Sequence, residues 1–339
     1  MRSELTALRF IFFVGIALGL FLIVLLVAPW IGATKIQPAL IFGAEADPTQ
    51  RAIFWQLRVP RVLLAALAGW GLALAGAGFQ ALLRNPLASP YILGISAGSS
   101  LGAVVAIKLG IAFTLLTTPI LFSFALIGAL LAIIIVYSLA RSRGGISIAT
   151  LLLAGVTLNF FFSAVILLIQ YLSSPGEAYQ MIRWMMGAVD IAGYQQLFIV
   201  IITVGAGSLL FFLNTRTLNI LTLDDSSARH LGVNVIGTQR LIFFAASLIT
   251  AGIVSICGPI GFVGLIIPHL VRLLCGADHR LVLPCSAFIG GAFLIAADTI
   301  ARKLLAPVEL PVGVITALCG GPFFLFLLLH YKRSNRMLF

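Results

Sequence analysis

The stretch "LRFIFFVGIALGLFLIVLLVA", from Leu8 to Ala28, decides the fold class of this protein. It is apolar apart from Arg9 and about 20 residues long, which at a rise of 1.5 Å per residue matches a hydrocarbon core of about 30 Å. The run is too long for the apolar core of a signal peptide, and no A-x-A cleavage site follows it. We therefore predict that it is a retained membrane helix.

Similar apolar runs recur along the whole chain. The 339 residues are 61% hydrophobic and only 9% charged, with a mean hydropathy of +1.16, whereas soluble chains carry about 25% charged residues. The alternating segments of roughly 10 residues that are typical of a β-barrel are absent. The sequence therefore predicts an all-α polytopic membrane protein with one transmembrane domain over 1–339. Its ten helices are predicted at about 8–29, 60–83, 92–110, 114–139, 148–171, 195–213, 238–257, 260–275, 281–303 and 311–331.

The net charge of +11 could indicate nucleic-acid binding, but the basic residues stand singly between apolar runs. This distribution is typical of membrane-topology signals, and we predict no nucleic-acid partner. Ten crossings place both termini on one side, which also receives the excess of Lys and Arg. We therefore predict that both termini are cytoplasmic.

Three connections between the predicted helices are informative. Segment 214–239 falls on the predicted cytoplasmic side. Segment 173–194 falls on the outer side, and within Pro175 to Gln196 the middle of "GEAYQMIRWMMGAVD" predicts a short helix at the membrane interface. The third, "RNPLASPYILGISAGSSLG" from Arg84 to Gly102, holds prolines and small residues that break helices and let backbones approach closely. It is either a tight turn before helix packing or irregular backbone that lines a cavity.

The sequence offers no catalytic constellation. Its histidines show no HExxH spacing, its cysteines lack CxxC spacing, and no GxSxG elbow occurs. We therefore predict no catalytic residue and no metal site in this chain, and a membrane-embedded enzyme finds no support. The residues concerned are His230, His269, His279, His330, Cys257, Cys275, Cys285 and Cys319.

Asp298 is the one acid that lies well inside a predicted helix. A carboxylate within the membrane is a functional candidate, for example as a proton relay. Arg302, however, follows at the i, i+4 spacing of a same-face ion pair. Both a structural ion pair and a relay are therefore consistent with the sequence.

The positions of the lysines exclude a P-loop. The motif GxxxxGK[ST] needs a glycine immediately before its lysine. The lysines of this chain are Lys35, Lys108, Lys303 and Lys332, and none of them follows a glycine. Any energy from ATP must therefore come from a partner protein.

The polar stretch "DDSSARHLGVNV", from Asp224 to Val235, interrupts the apolar pattern. Its acidic and hydroxyl residues suit the N-terminus of a short helix over 226–231, and Gly232 suits the end of that helix. A second short helix is predicted up to Arg240. A solvated loop would tolerate almost any polar composition, whereas a capped helix with exposed basic side chains is typical of a docking element.

Several motifs occur in a fixed order from about Trp55 to the C-terminus. They are "LRVPR" (57–61), "GAGFQALLRNPLASPYILGISAG" (76–98), "LLLAGV" (151–156), "WMMG" (184–187), "SARHLGV" (227–233), "GPIGFVGLIIPHLVR" (258–272), "DHR" (278–280) and "ELPVGVITALCGGPFF" (309–324). In this order they resemble one family, the permeases of the type II ABC importers for iron(III)-siderophores, haem and vitamin B12.

This resemblance implies a type II ABC importer permease fold of about ten helices in the cytoplasmic (inner) membrane of a bacterium or archaeon. It implies a homodimer or a pair with a close paralogue, and a periplasmic or lipid-anchored substrate-binding protein. Two cytoplasmic ABC ATPase subunits would carry the ATP and Mg²⁺, while this chain would hold no cofactor. Closure of the ATPases on ATP would switch the access of the helices, which requires different binding to the two states.

The resemblance also implies roles for particular residues. Arg58, Arg61 and Arg302 would receive carboxylates of the binding protein, the alternative being that they anchor the chain at lipid headgroups. The segment in contact with the ATPase would comprise Asp224, Asp225, Ser227, Ala228, Arg229, His230, Leu231 and Gly232. The candidates for a cytoplasmic gate are Asn85, Leu87, Ser147 and Thr150, and those for the cavity lining are Asn159, Ser163 and Gln170.

The implied substrate is a metal chelate, first a ferric siderophore and then haem or cobalamin, with a smaller oxyanion such as molybdate left open. No His, Tyr pair or Met in the predicted pathway offers the metal a strong ligand, which suits a passage that must release its cargo. The alternative function is an ion-coupled secondary transporter that uses Asp298 and needs no ATPase.

Overall fold

The computed structural model describes residues 6–32, 34–42, 47–110, 118–142, 145–190, 193–223, 225–306 and 308–334. The longer helices are α1 (Ala7–Val27), α4 (Val59–Leu82), α5 (Ile95–Lys108), α6 (Thr118–Ala140), α7 (Ile148–Tyr171), α9 (Gln195–Leu213), α12 (Val235–Cys257), α13 (Val263–Cys275), α14 (His279–Leu304) and α15 (Val312–Ser334). The shorter helices are α2 (Pro38–Phe42), α3 (Pro48–Ala52), α8 (Pro175–Met185), α10 (Thr215–Leu221) and α11 (Asp225–His230). Irregular helical turns cover Ala28–Trp30, Ile53–Arg58 and Pro90–Leu93, and strands β1 (Arg141–Ser142) and β2 (Gly145–Ile146) pair antiparallel.

Each of the ten predicted membrane helices corresponds to an apolar helix. Among the described residues, seven helices are long and apolar enough to cross a membrane, namely α1, α4, α6, α7, α9, α12 and α14. The remaining three, α5, α13 and α15, contain shorter apolar segments. The predicted bounds 148–171 and 195–213 agree with α7 and α9 to the residue. The predicted all-α polytopic fold is thus confirmed.

Helix α4 forms the centre of the fold. Its apolar window is 83% buried, against 6% for α1 and 22% for α7, and it packs against α9, α12, α13 and α14. Its many Ala and Gly residues let the neighbouring backbones approach closely. A Cβ at Gly69 would collide with the carbonyl oxygen of Gly290, and one at Gly76 would collide with that of Gly264.

Polar side chains tie α4 to its neighbours at defined points. The buried Gln80 donates from Nε2 to the carbonyl oxygen of Leu265 at 3.2 Å and accepts a hydrogen bond from Arg272. Trp70 Nε1 donates to Ser208 Oγ at 3.0 Å. Because no water is available in the apolar interior, these bonds satisfy polar groups that would otherwise be costly to bury. They also fix the position of α4 relative to α9 and α13.

The short helix predicted within Pro175 to Gln196 is α8. Ser174 Oγ accepts from Glu177 N at 3.4 Å and Glu177 Oε2 accepts from Ser174 N at 2.9 Å, which is a capping box. Lys108, at the end of α5, donates from Nζ to Glu177 Oε2 at 3.2 Å. The hydrogen bond from the Ser174 backbone, followed by that from Lys108, lowers the pKa of the Glu177 carboxyl.

The polar stretch after α9 differs in part from its prediction. The short helix predicted over 226–231 is α11, but the second short helix predicted up to Arg240 is wrong. That segment is the start of α12, where Asn234 Oδ1 accepts from Gly237 N at 2.9 Å. Because Val235 is buried, the apolar face of α12 begins earlier than the predicted residue 238. Helix α10, which lies before α11, was not predicted at all.

Candidate coupling surface and transport pathway

Helix α11, the predicted docking segment, has defined ends. Asp225 stands in its first turn, where the helix dipole favours an acidic side chain. After its last turn Gly232 has a φ of +80°, and Val233 N donates to the carbonyl oxygen of Ala228 at 3.2 Å. This arrangement is a Schellman cap, which glycine favours because it has no Cβ. The sequence therefore specifies a short helix with a defined end, and not merely a loop that connects two membrane helices.

Most of the predicted coupling residues are accessible. Leu231 is 60% exposed, whereas Ala228 is fully buried and holds α11 against the protein. The exposed residues of the segment are Arg229, His230, Leu231 and Gly232, and the half-buried ones are Asp225 and Ser227. Asp224 lies outside the described residues. The segment thus exposes two basic side chains and one large apolar side chain.

Arg84 attaches α10 and α11 to the end of α4. Its Nε donates to the carbonyl oxygen of Leu221 at 3.0 Å, and its guanidinium forms an ion pair with Asp225. Arg84 could not be placed in a site from the sequence, because these partners lie 137 and 141 residues away along the chain. The one sequence feature that singles out Arg84 is its charge, directly after the apolar run predicted as helix 60–83.

Asn219 attaches α10 to the start of α14. Its Nδ2 donates to Asp278 Oδ1 at 2.8 Å, and its Oδ1 accepts from His279 N at 2.8 Å. The guanidinium of Arg280 pairs with Asp278 at 2.6 Å. Burial alone would raise the pKa of Asp278, but the hydrogen bonds from Arg280, and then that from Asn219, lower it to about 2. Asp278 is therefore ionised at neutral pH and holds both partners.

The predicted gate residues form two capped turns. Asn85 Oδ1 accepts from Leu87 N at 2.8 Å directly after α4. Ser147 is the N-cap of α7, and its Oγ lies 2.8 Å from Thr150 Oγ1. Both turns stand at the helix ends that we predict to be cytoplasmic. Their role as a gate stays a prediction.

Two of the three predicted cavity residues on α7 have partners within the chain. Asn159 Nδ2 donates to the carbonyl oxygen of Tyr91 at 3.0 Å, and Gln170 Nε2 donates to Met185 Sδ at 3.6 Å. Ser163 is exposed. The exposed surface of α7 is otherwise mainly apolar, with Leu153, Val156, Phe160, Phe161, Leu167 and Leu168.

Two of the predicted docking arginines surround Asp298. Arg61 Nη2 lies 3.0 Å from Asp298 Oδ1, and Arg302 Nε lies 3.1 Å from Asp298 Oδ2. The predicted i, i+4 ion pair is thus present. Arg61 Nη1 also contacts Glu309 Oε2 at 2.7 Å. Since the Asp298 side chain is 1% exposed and paired with two cations, the structure favours the structural ion pair over the proton relay.

The third predicted docking residue, Arg58, binds backbone instead of a carboxylate. It donates to the carbonyl oxygens of Pro29, at 3.1 Å, and Thr34. Arg302 likewise donates to the carbonyl oxygen of Ile31 at 3.3 Å, and both arginines are buried. They therefore hold the segment after α1 in place. Docking of a binding protein at Arg58, Arg61 and Arg302 stays a prediction.

The family of the chain is shown by its match to a known family model. A model described as the FecCD transport family matches residues 17–330, nearly the whole described chain. The chain belongs to the FecCD transport family. The resemblance inferred from the motifs is thereby confirmed.

Two curated relatives of this FecCD family member are named as permeases. The cobalamin import system permease BtuC of Halobacterium salinarum is 42% identical over 301 residues, covering 88% of this chain and 79% of that protein. The hemin transport system permease HmuU of Yersinia pestis is 38% identical over 325 residues, covering 95% and 96%. A solved structure described as an inward-facing metal-chelate type ABC transporter has a TM-score of 0.82 at 32% identity and covers 94% of this chain and 99% of that one. The fold is that of an ABC-transporter permease.

Proposed function

We propose that this FecCD family protein is the membrane-spanning subunit of an ATP-driven importer for a metal chelate. A separate ATPase hydrolyses the ATP, and a ferric siderophore is the first candidate for the cargo, ahead of haem and cobalamin. The observation that carries this proposal is the exposed helix α11, whose capped end gives a separate ATPase a defined binding surface. The chain itself has no P-loop with which to bind ATP.

The substrate class is supported by the relatives and by the chemistry of the described residues. One relative is named for cobalamin and another for hemin, and both are large metal complexes. The described part of the chain contains no group of three or more His, Cys, Asp or Glu that could hold a metal ion. A passage for an intact chelate needs weak contacts, because tight binding would slow its release.

The motion that we propose is alternating access in the cytoplasmic membrane. Two ATPase subunits bind the α11 segments of this chain and of a second copy or paralogue, and their closure moves the segments together. ATP binding can drive this change only if the closed ATPases bind one conformation of the permease more tightly than the other. Asn85, Leu87, Ser147 and Thr150 then open and close the cytoplasmic end.

On the outer side we propose that a substrate-binding protein docks through acidic side chains. Arg61 is the most suitable contact of the three arginines, because its partner Glu309 is exposed and can be exchanged for a carboxylate of another protein. Arg58 and Arg302 are 6% and 5% exposed. They contribute to docking mainly by holding the surface around Arg61.

Reconstitution in proteoliposomes tests the proposal. The permease is reconstituted with and without its co-expressed ATPase, and uptake of a ferric siderophore, haem and cobalamin is measured with binding protein outside and ATP inside. We expect uptake of one chelate only when the ATPase and ATP are both present. Uptake driven by an ion gradient without the ATPase would support the secondary transporter instead. The variant Asp298→Asn would then abolish that gradient-driven uptake.

A further inference from the structure

Arg84 adopts a backbone conformation that its residue type disfavours. It follows α4 with a φ of +48°, in the left-handed region that favours glycine because a Cβ crowds the backbone there. Arg84 N donates to the carbonyl oxygen of Ala81 at 3.3 Å, and Asn85 N donates to that of Gln80 at 3.1 Å. These two bonds form a Schellman cap, and its left-handed position is usually occupied by glycine.

The side chain of Arg84 accounts for an arginine at this position. Nε donates to the carbonyl oxygen of Leu221, the last residue of α10, and the guanidinium pairs with Asp225, the first residue of α11. The Arg84 side chain therefore binds the end of α10 and the start of α11. Residues in unfavourable backbone conformations are retained where the surrounding structure uses them.

The backbone of Arg84 leads directly into the predicted gate. Asn85 follows it, and the Asn85–Leu87 turn is closed by a hydrogen bond of 2.8 Å. Behind Arg84, α4 is held in the core by close packing against α13 and α14. A displacement of α11 that pulls on Asp225 therefore acts on the junction between a fixed helix and a small turn.

We propose that Arg84 is a positioning residue that transmits the displacement of α11 to the α4–α5 turn. This inference rests on the proposed function, since it assumes that an ATPase moves α11. It goes further because it assigns the transmission to one ion pair, Arg84 with Asp225, and to the hydrogen bond with Leu221. Without them the ATPase still binds α11, but its motion is no longer passed on fully to the turn.

The variant Arg84→Gly separates this role from a structural one. Glycine is the favoured residue at the cap, so the end of α4 keeps its conformation while the side chain is lost. The complete transporter, with ATPase and binding protein, is reconstituted, and chelate uptake and ATP hydrolysis are measured together. We expect the ATPase to co-purify and hydrolyse ATP as before, and uptake per ATP to fall about fivefold or more. We expect thermal stability close to that of the wild type, because glycine relieves the left-handed backbone while the side-chain bonds to Leu221 and Asp225 are lost.

Three further variants complete the experiment. Asp225→Ala removes only the ion pair and leaves the bond from Arg84 to Leu221, so it is expected to reduce uptake per ATP less than Arg84→Gly does. The double variant should be no worse than Arg84→Gly, because the ion pair is already lost there. Arg216→Ala removes an exposed arginine from α10 and should leave uptake per ATP unchanged. Arg84→Lys retains the charge but loses the planar guanidinium, which donates to both partners at once. It should therefore show higher uptake per ATP than Arg84→Gly but lower than the wild type.

The outcomes distinguish this inference from the proposed function. If wild type shows no ATPase-dependent uptake, the proposed function fails, and the inference fails with it. If wild type is ATP-driven but Arg84→Gly keeps the wild-type ratio of uptake to ATP hydrolysis, the proposed function stands and the role of Arg84 is refuted. Loss of ATPase co-purification in Arg84→Gly would likewise refute it, since Arg84 would then shape the docking surface instead of transmitting its motion.

Discussion

Asp298 of α14 and Arg61 of α4 form an ion pair at 3.0 Å between two helices that are otherwise joined by close backbone contact. Arg302 pairs with the other carboxylate oxygen at 3.1 Å, so that one buried anion lies between two cations. Further along the same helix pair, Gly69 faces Gly290 with no room for a Cβ. Helices α4 and α14 are thus held together by charge at one end and by small residues in the middle.

The substitution Asp298→Ala should destabilise the protein strongly. It leaves Arg302 buried without its carboxylate, and breaking one partner of a buried ion pair costs about 3–5 kcal/mol. Thermal unfolding in detergent measures this loss, with the exposed Asp190, whose pair with Arg183 is 3.6 Å long, as the control in Asp190→Ala. An Asp298→Ala variant as stable as the control would show that the buried pair is not structural.

The substitution Gly76→Ala should weaken the packing of α4 on α13. The added methyl group collides with the carbonyl oxygen of Gly264, and such overpacking costs about 1–3 kcal/mol. Gly205→Ala in α9 is the matched control, because a Cβ there meets nothing within 4 Å and alanine favours the helix. We expect a lower melting temperature for the first variant and an unchanged or higher one for the second. Equal melting temperatures would contradict the close approach.

The helix bounds could be predicted well because the thickness of the membrane sets the length of an apolar run. The windows for α7 and α9 were correct to the residue. The predicted start of α12 lies three residues too late because Gly237 and Thr238 interrupt the apolar pattern and the buried residue that follows them, Gln239, is polar. Short helices such as α10 are held by tertiary contacts, which hydropathy does not report.

The contacts of the candidate site were predictable only where they are local. The pair of Asp298 and Arg302 follows from i, i+4 spacing, whereas Arg61 lies 237 residues from Asp298 and could be placed beside it only by the fold. Gly232 correctly predicted where α11 ends. The hydrophobic periodicity of α7 did not predict that Asn159 donates a hydrogen bond to the carbonyl oxygen of Tyr91.

The substitution Asp278→Asn should produce a pH-dependent loss of stability. Asparagine keeps the N-cap of α14 but removes the charge. Because the pKa of Asp278 is lowered from 3.8 to about 2 in the folded protein, its ionisation stabilises the folded state above pH 3.8, and this contribution is lost as the pH falls toward 2. We expect the variant to be less stable by about 1 kcal/mol at neutral pH.

Thermal unfolding at several pH values checks this expectation. The difference between wild type and Asp278→Asn should be constant from pH 7 to about 5 and should narrow below pH 4. A difference that stays constant down to pH 3 would mean that the charge of Asp278 does not contribute. Asn219→Ala should also lower the stability at neutral pH, because it breaks the bonds to Asp278 and His279.

Capture of the ATPase by the permease tests whether the α11 segment is the contact with the ATPase. Leu231→Asp places a charge on the exposed apolar side chain of the α11 segment, and Val308→Asp makes the same type of change at a residue that is 64% exposed on the predicted outer side. Both variants are co-expressed with the ATPase and purified through a tag on the permease. We expect Leu231→Asp to lose the ATPase and Val308→Asp to retain it, with both permeases folded. Full recovery of the ATPase with Leu231→Asp, together with unchanged ATP-driven uptake, would contradict the claim that an external motor acts through α11.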